Sequence, residues 1–175
     1  MDILSAWYAV TLLGTPEYWA YASAGLFLVY FILRHFTPNN PIWKKHKPFL
    51  KGLLIILIPS LFIFLGSAFL LKTFWFVQRP CIICTGEGLP VGCNPYCLSD
   101  SSFPSGHAGT IFTAFASLYL ATRRRAALAL LPIPLLVSYS RMALGVHTLT
   151  DVLAGTLIGL SITILVSVML RKWQK

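Results

Sequence analysis

The sequence predicts an all-α fold, a polytopic bundle of membrane helices that forms a single domain. Of the 175 residues, 57% are hydrophobic and only 11% are charged, a composition far more apolar than that of soluble domains. The apolar residues gather in long blocks rather than in the short alternating runs of a transmembrane barrel. We therefore predict about five transmembrane helices and a short N-terminal interfacial helix, with residues 1–175 as one membrane-embedded domain.

The elements follow from the lengths of these blocks, because a helix needs about 20 apolar residues to cross the hydrocarbon core. The predicted spans are Tyr18–Phe36, Phe49–Leu71, Gly106–Ala121, Ala126–Met142 and Thr150–Leu170. Ahead of them, Ile3–Leu13 is apolar but too short to cross, and the Gly-Thr-Pro of residues 14–16 interrupts it. We expect a helix in the interface there. A signal peptide is the alternative, but Asp2 and the lack of a basic residue argue against it.

The basic residues predict the orientation of these helices. Arg34–Lys51, Arg123–Arg125 and the tail after Leu170 hold five, three and three of the fourteen lysines and arginines. By the positive-inside rule they are cytoplasmic, which places the connection Gln78–Phe103 on the outer side of the cell (plasma or inner) membrane. The net charge of +9 thus indicates attachment to the inner leaflet rather than nucleic-acid binding.

The predicted outer side nevertheless collects charged residues at helix ends. They are the cations Lys72, Arg79 and Arg141, together with His107, His147 and Asp151. Ionisable groups at such positions are costly and usually functional. A group of this composition suits a dianionic ligand.

The stretch SSFPSGHAGT begins the third predicted span. Pro104 suits a first helical turn, and Ser102 or a neighbour is a candidate N-cap. The unpaired N–H groups of Ser105, Gly106 and His107, at the positive end of the helix dipole, would form an anion site. An ordinary helix start with an interfacial histidine is the alternative.

His147 and Asp151 lie four residues apart, so they share a face if the last helix begins near His147. The carboxylate would then accept the proton of one imidazole nitrogen and leave the other nitrogen free to attack. Each residue also has a simpler interpretation. Thr148 and Asp151 match a capping box, and Arg141 can extend to the interface as snorkelling arginines do.

Three segments together resemble a known signature. They read KTFWFVQRP from Lys72, PSGH from Pro104 and SRMALGVHTLTD from Ser140. This arrangement closely resembles the K-x6-RP, PSGH and SR-x5-H-x3-D pattern of the type 2 phosphatidic acid phosphatase superfamily, which also contains the vanadium haloperoxidases. Every fixed position is present with its spacing, over roughly residues 72–151.

The resemblance implies a metal-independent lipid phosphatase without a cofactor. His147 would attack phosphorus to form a phosphohistidine, with Asp151 orienting it, and His107 would protonate the leaving oxygen. The residues expected to bind the phosphate oxygens are Lys72, Arg79, Ser105, Gly106 and Arg141. No metal is expected, since three cations and a helix end already neutralise the phosphate.

The expected outward-facing site slightly favours a polyprenyl (undecaprenyl-type) diphosphate as substrate. Phosphatidic acid, phosphatidylglycerol phosphate and phosphorylated lipid A are alternatives, and a non-catalytic lipid-binding or transport protein or a vanadate-dependent halide oxidase are remote ones. Because the family core usually has six helices, a second protomer in a homo-oligomer, or lipid, would replace a missing wall of the groove.

The four cysteines all fall in the predicted outer connection, at Cys81, Cys84, Cys93 and Cys97. Disulfides are favoured because that compartment is oxidising, and three pairings are open. A structural metal site or free thiols are the alternatives. Two bridges would stiffen the loop that joins Arg79 to His107.

Overall fold

The structure is a computed structural model that describes residues 3–82 and 97–172. Across these two ranges the regular elements are helical and no strand occurs, which confirms the predicted all-α class. Six α-helices follow in chain order within them: α1 Ile3–Thr11, α2 Pro16–Phe36, α3 Pro41–Phe74, α4 Gly106–Thr122, α5 Pro132–Ala143 and α6 Leu149–Lys172. Each predicted span corresponds to one of these helices in position.

Three segments are long and apolar enough to cross a membrane, judged by length and composition. They are Pro41–Phe74, Arg125–Ala143 and Leu149–Leu170. The predicted spans in α2 and α4 are present as helices but are not in this set, and α4 has only 17 residues. The chain is therefore a helical membrane protein, while five crossings stay a prediction.

The N-terminal helix is as short as predicted. α1 has nine residues and is followed by a three-residue 3-10 turn, Leu12–Gly14. At about 1.5 Å per residue this unit is shorter than the hydrocarbon core is thick. α2 then begins at Pro16, with the proline in its first turn. The interruption expected at residues 14–16 is thus where the first helical unit ends, at Gly14, and an extended Thr15 separates it from α2.

The second predicted span starts earlier than expected. α3 begins at Pro41 rather than Phe49 because Asn40 caps it, with Oδ1 accepting hydrogen bonds from the N–H groups of Ile42 and Trp43 at 2.9 and 3.2 Å. This cap satisfies two of the four N–H groups left over at a helix start. The basic segment that was predicted to be a connection is therefore partly the first turns of α3.

The fourth predicted span is not one continuous α-helix. It begins as a 3-10 segment, Arg125–Leu130, and becomes α-helical only at Pro132. Pro132 and Pro134 have no N–H to donate to carbonyl groups in the preceding turn, so a regular α-helix begins there rather than at Ala126.

α4 and α6 approach each other closely through glycines. A Cβ added at Gly159 would lie 2.6 Å from the Gly109 carbonyl oxygen, and one at Gly155 would overlap the carbonyl oxygen of Ser105. Small residues allow such backbone approach between membrane helices. The crossing brings the N-terminus of α4 against the first turns of α6.

Replacing Gly155 by alanine is expected to lower the thermal unfolding midpoint of the purified protein, because the methyl group must displace the Ser105 backbone. Overpacking of this kind costs about 1–3 kcal/mol. Gly66→Ala is the matched control, since Gly66 is an exposed residue of α3 with nothing within 4 Å of an added Cβ. Equal midpoints for the two variants would contradict the close crossing.

The bundle has two chemically different ends. α2, α4 and α6 begin at the end where α3 and α5 finish. At the opposite end, Lys51 and Arg123 line a cavity with Leu120 and Leu170. The basic segments on α3 and after α4 therefore share one end of the bundle, and the orientation of that end in the membrane stays a prediction.

Candidate active site

A polar cavity of about 470 Å³ lies at the other end of the bundle. Six of the predicted site residues line it: Lys72, Arg79, Gly106, His107, Arg141 and His147. The other two, Ser105 and Asp151, are buried behind these. The structure thus brings together residues from four helices and two connections that are distant in sequence.

Each ring nitrogen of His147 faces a charged group. Nε2 lies 3.2 Å from Nη1 of Arg79, which also donates to the Val146 carbonyl oxygen at 3.2 Å. Nδ1 lies 3.7 Å from Oδ2 of Asp151, which is an ion-pair distance but too long for a hydrogen bond. The imidazole therefore lies between a guanidinium and a carboxylate, with Nε2 directed toward the cation.

Asp151 also caps the last helix. Its Oδ2 accepts a hydrogen bond from the Thr148 N–H at 2.8 Å, and its own N–H donates to Thr148 Oγ1 at 3.3 Å. The capping box is therefore present, and α6 begins at Leu149 rather than at His147. The same carboxylate oxygen serves the helix start and faces the histidine, so the two interpretations of Asp151 are compatible.

The PSGH stretch folds differently from the prediction at its first two positions. α4 begins at Gly106, and Ser105 is the N-cap, with Oγ accepting from the Ala108 N–H at 3.5 Å. Pro104 therefore precedes the helix instead of lying in its first turn, and Ser102 does not cap it.

The N–H of Ser105 is not unpaired, as had been predicted, because it donates to the Asp151 carbonyl oxygen at 3.0 Å. This bond ties the start of α4 to the start of α6, just beside the glycine crossing. Of the three residues predicted to form the anion site, Gly106 and His107 line the cavity and Ser105 does not.

Asp100 is a member of the site that the sequence analysis missed. Its Oδ2 accepts from Lys72 Nζ at 2.7 Å, and its Oδ1 accepts from Arg79 Nη2 and Nε at 2.6 and 3.0 Å. Lys72 also donates to the Ser101 carbonyl oxygen. The Arg79 side chain is 3% exposed and that of Asp100 is 48% exposed. Asp100 lies in an irregular connection, where no helical periodicity relates it to the other site residues. The sequence pattern therefore gave no reason to include it in the site.

Arg141 is buried and is held by the N-terminal segment. It is only 5% exposed, and its Nη1 donates to Oγ1 of Thr11 at 2.9 Å. Its Nε has no hydrogen-bond partner within the described parts of the chain. The guanidinium therefore does not extend to an aqueous interface. Thr11 was also missed, because no local pattern connects it with a residue 130 positions later.

Burial lowers the pKa of His147 to about 4, and the positive charges of Arg141 and Arg79 act in the same direction, while Asp151 opposes them. The imidazole is therefore neutral at pH 7. Burial raises the pKa of Asp100, but hydrogen bonds from Lys72 and Arg79 outweigh this effect and hold it below its usual value. Asp100 is accordingly a carboxylate at the same pH.

A disulfide joins Cys81 to Cys97. It confirms disulfide formation for this pair, whereas Cys84 and Cys93 lie outside the described residues. The bond connects the chain just after Arg79 to the chain just before Asp100. Across residues 3–82 and 97–172, no group of three or more His, Cys, Asp or Glu side chains is arranged to hold a metal ion.

The fold and the cavity define a helical membrane protein with a cavity lined by histidine, arginine and lysine side chains. Residues 51–175 match the PAP2 superfamily, so the chain belongs to this superfamily, as its three motifs predicted. The crystal structure of Aquifex aeolicus LpxE is similar in fold, with a TM-score of 0.59 and 24% sequence identity over 94% of this chain and 84% of that one. Comparison with curated proteins gives no match.

Proposed function

We propose that this membrane protein is a metal-independent lipid phosphatase that works through a phosphohistidine at His147. The observation that carries the proposal is the setting of this residue. Its neutral imidazole has Nε2 at 3.2 Å from Arg79 Nη1 and Nδ1 at 3.7 Å from the Asp151 carboxylate. A neutral nucleophile beside a cation that can hold a phosphoryl oxygen suits phosphoryl transfer.

In the proposed first step, the lone pair of Nε2 forms a bond to phosphorus while the bond from phosphorus to the leaving oxygen breaks. His107, which lines the same cavity, is protonated once the anionic phosphate is bound beside it, and it gives this proton to that oxygen. In the second step a water attacks phosphorus, its proton passes to His107, and the P–N bond breaks. Asp151 stabilises the positive charge that develops on the imidazole of His147.

The phosphate oxygens are assigned to Lys72, Arg79, Arg141 and the backbone N–H of Gly106. Arg141 supplies forked donors and the lysine a point charge. Arg79 contributes through Nη1, because its Nε and Nη2 already donate to Asp100. We assign Ser105 differently from the sequence interpretation. Its side chain and its N–H are already used at the starts of α4 and α6, so it fixes Gly106 in place instead of binding phosphate.

The lipid chain has an apolar route beside this cavity. A second cavity of about 390 Å³ is lined almost entirely by apolar side chains, including Trp19, Leu57 and Phe115. Leu13 lines this apolar cavity, while its neighbour Leu12 lines the polar one. We propose that the headgroup occupies the polar cavity and that a hydrocarbon chain lies in the apolar one.

We propose that the site faces the extracytoplasmic side and that polyprenyl diphosphates are the first substrates to test. Phosphatidic acid, phosphatidylglycerol phosphate and phosphorylated lipid A complete the panel. The purified protein in detergent with a chelator is expected to release phosphate from at least one of these lipids, and vanadate is expected to inhibit the release. Binding without phosphate release from any of them would instead support a non-catalytic lipid-binding protein.

The pH dependence should report the lowered pKa of His147. The neutral, attacking form predominates above pH 5 and is lost as the pH falls through about 4. We therefore expect the acid side of the kcat/KM profile to stay flat from pH 7 to about 5.5 and to fall about tenfold per pH unit below 4. The measurement is kcat/KM in detergent from pH 2.5 to 8. An acid limb centred near pH 6.5 that does not follow the ionisation of the substrate phosphate, measured separately, would contradict the burial of this imidazole.

A further inference from the structure

Asp100 bridges the two cations that come from the first motif. Its two carboxylate oxygens are divided between them, Oδ2 to Lys72 and Oδ1 to Arg79. Lys72 lies at the end of α3, and Arg79 lies in the irregular segment that follows it. Because two cations that share a small cavity repel each other, a carboxylate between them stabilises their approach.

The contacts of Arg79 divide its guanidinium into two edges. The edge formed by Nε and Nη2 donates to Asp100, while Nη1 faces His147 Nε2. The guanidinium group is planar and rigid, so holding one edge determines where the other edge points. The hydrogen bonds to Asp100 therefore orient Arg79 Nη1 toward His147 Nε2, the nitrogen that attacks phosphorus in the proposed reaction.

A covalent bond supports this arrangement. Cys81 follows Arg79 by two residues and Cys97 precedes Asp100 by three, and these cysteines form the disulfide. Cys81 is fully buried, so the cross-link is anchored in the protein interior. The backbone also contributes, since Arg79 Nε donates to the Asp100 carbonyl oxygen at 3.2 Å. The carboxylate is thus placed by several constraints rather than by one surface ion pair.

We propose that Asp100 is a positioning residue of this phosphatase, which orients Arg79 and Lys72 toward the phosphoryl group held at His147. The inference rests on the proposed function. Asp100 acts through the two cations, and its negative charge next to the site opposes the binding of an anionic substrate. Its benefit is therefore expected in kcat, because orientation matters most when charge develops on the transferring group.

The test is the Asp100→Asn variant, assayed on whichever lipid the wild-type protein hydrolyses. An amide replaces one of the two acceptor oxygens by an NH₂ donor, so it cannot give each cation an oxygen of its own as Asp100 does. We expect kcat to fall about 10- to 100-fold, as misorientation of a catalytic group does, while KM is unchanged or lower because a repelling charge has gone. Ser99→Ala, at the exposed neighbouring position, is expected to match the wild type.

A double-mutant cycle separates positioning from a structural effect. In an Arg79→Ala background, Asp100→Asn is expected to change kcat by less than about threefold, since the main group it acts through is absent. Asp100→Glu, which keeps the charge, is expected to recover part of the lost kcat. A full additional loss in the Arg79→Ala background would overturn the proposal, as would a fall in kcat accompanied by a raised KM and a lower unfolding midpoint.

The outcomes also distinguish this inference from the function on which it rests. If the wild-type protein releases no phosphate from any lipid of the panel, the proposed phosphatase activity fails. If the wild type is active and Asp100→Asn retains its full kcat, only the role of Asp100 fails.

Discussion

Replacing His147 by alanine is expected to lower kcat/KM for lipid phosphate hydrolysis by about 10⁴-fold or more. Loss of a nucleophile removes the covalent route entirely, and the remaining cations only stabilise a slow direct attack by water. The residue is well placed for this role, because it is buried, neutral at pH 7 and 3.2 Å from Arg79 Nη1. The measurement is phosphate release under saturating and limiting substrate.

His35→Ala is the matched control for that experiment. His35 lies in the last turn of α2, at the opposite end of the bundle, where its ring stacks on that of Phe31. It is expected to retain wild-type activity. Rapid quenching of the wild type into alkali with labelled lipid should in addition trap a phosphorylated protein, and His147→Ala should trap none. A fully active His147→Ala variant would exclude the proposed mechanism.

The sequence was sufficient to predict the helices and six of the residues that line the cavity, for two physical reasons. Blocks of about 20 apolar residues are long enough to cross the bilayer, and a helix satisfies all their backbone hydrogen bonds internally. Cations and histidines at the ends of such helices are costly, so their positions carry information even without a structure. This is why His107, Arg141 and His147, which lie in three different parts of the chain, were predicted together and line one cavity.

The remaining features depend on contacts between distant segments, which no local pattern reports. Thr11 binds Arg141 from the N-terminal helix, where the sequence shows only an apolar stretch. Gly14 is similar, because a Cβ there would lie 3.0 Å from the His107 carbonyl oxygen. The Ser105 N–H was predicted to be free from its place at a helix start, but the crossing of α4 and α6 supplies its acceptor.

The N-terminal segment therefore forms part of the candidate site, although it precedes the residues that match the superfamily. Tyr8, Thr11 and Leu12 line the polar cavity together with the motif residues. The helix that was predicted to lie in the interface thus also lines one side of the cavity. The Thr11 hydroxyl of this helix accepts a hydrogen bond from Arg141. Its contribution to kcat/KM can be measured separately from that of the guanidinium.

Arg141→Met is expected to lower kcat/KM by about 100- to 1000-fold, because it removes a buried donor from the group that stabilises the transferring phosphoryl unit. The stability of this variant is not expected to fall with its activity. Arg141 is 5% exposed and the Thr11 hydroxyl that it binds is uncharged, so an apolar side chain of similar length relieves a desolvation cost. We expect the thermal unfolding midpoint of this variant to be equal to or higher than that of the wild type.

Thr11→Val is the companion variant, since it keeps the shape of the side chain and removes only the hydroxyl that accepts from Arg141 Nη1. Losing this one hydrogen bond should misplace the guanidinium without removing its charge, and kcat/KM is expected to fall about 3- to 10-fold, in line with about 1 kcal/mol for such a bond. In an Arg141→Met background the same change should have little effect. If Arg141→Met instead unfolds at a lower temperature and keeps its kcat/KM, the guanidinium is a structural group. Removing a group that binds the phosphate would have lowered kcat/KM.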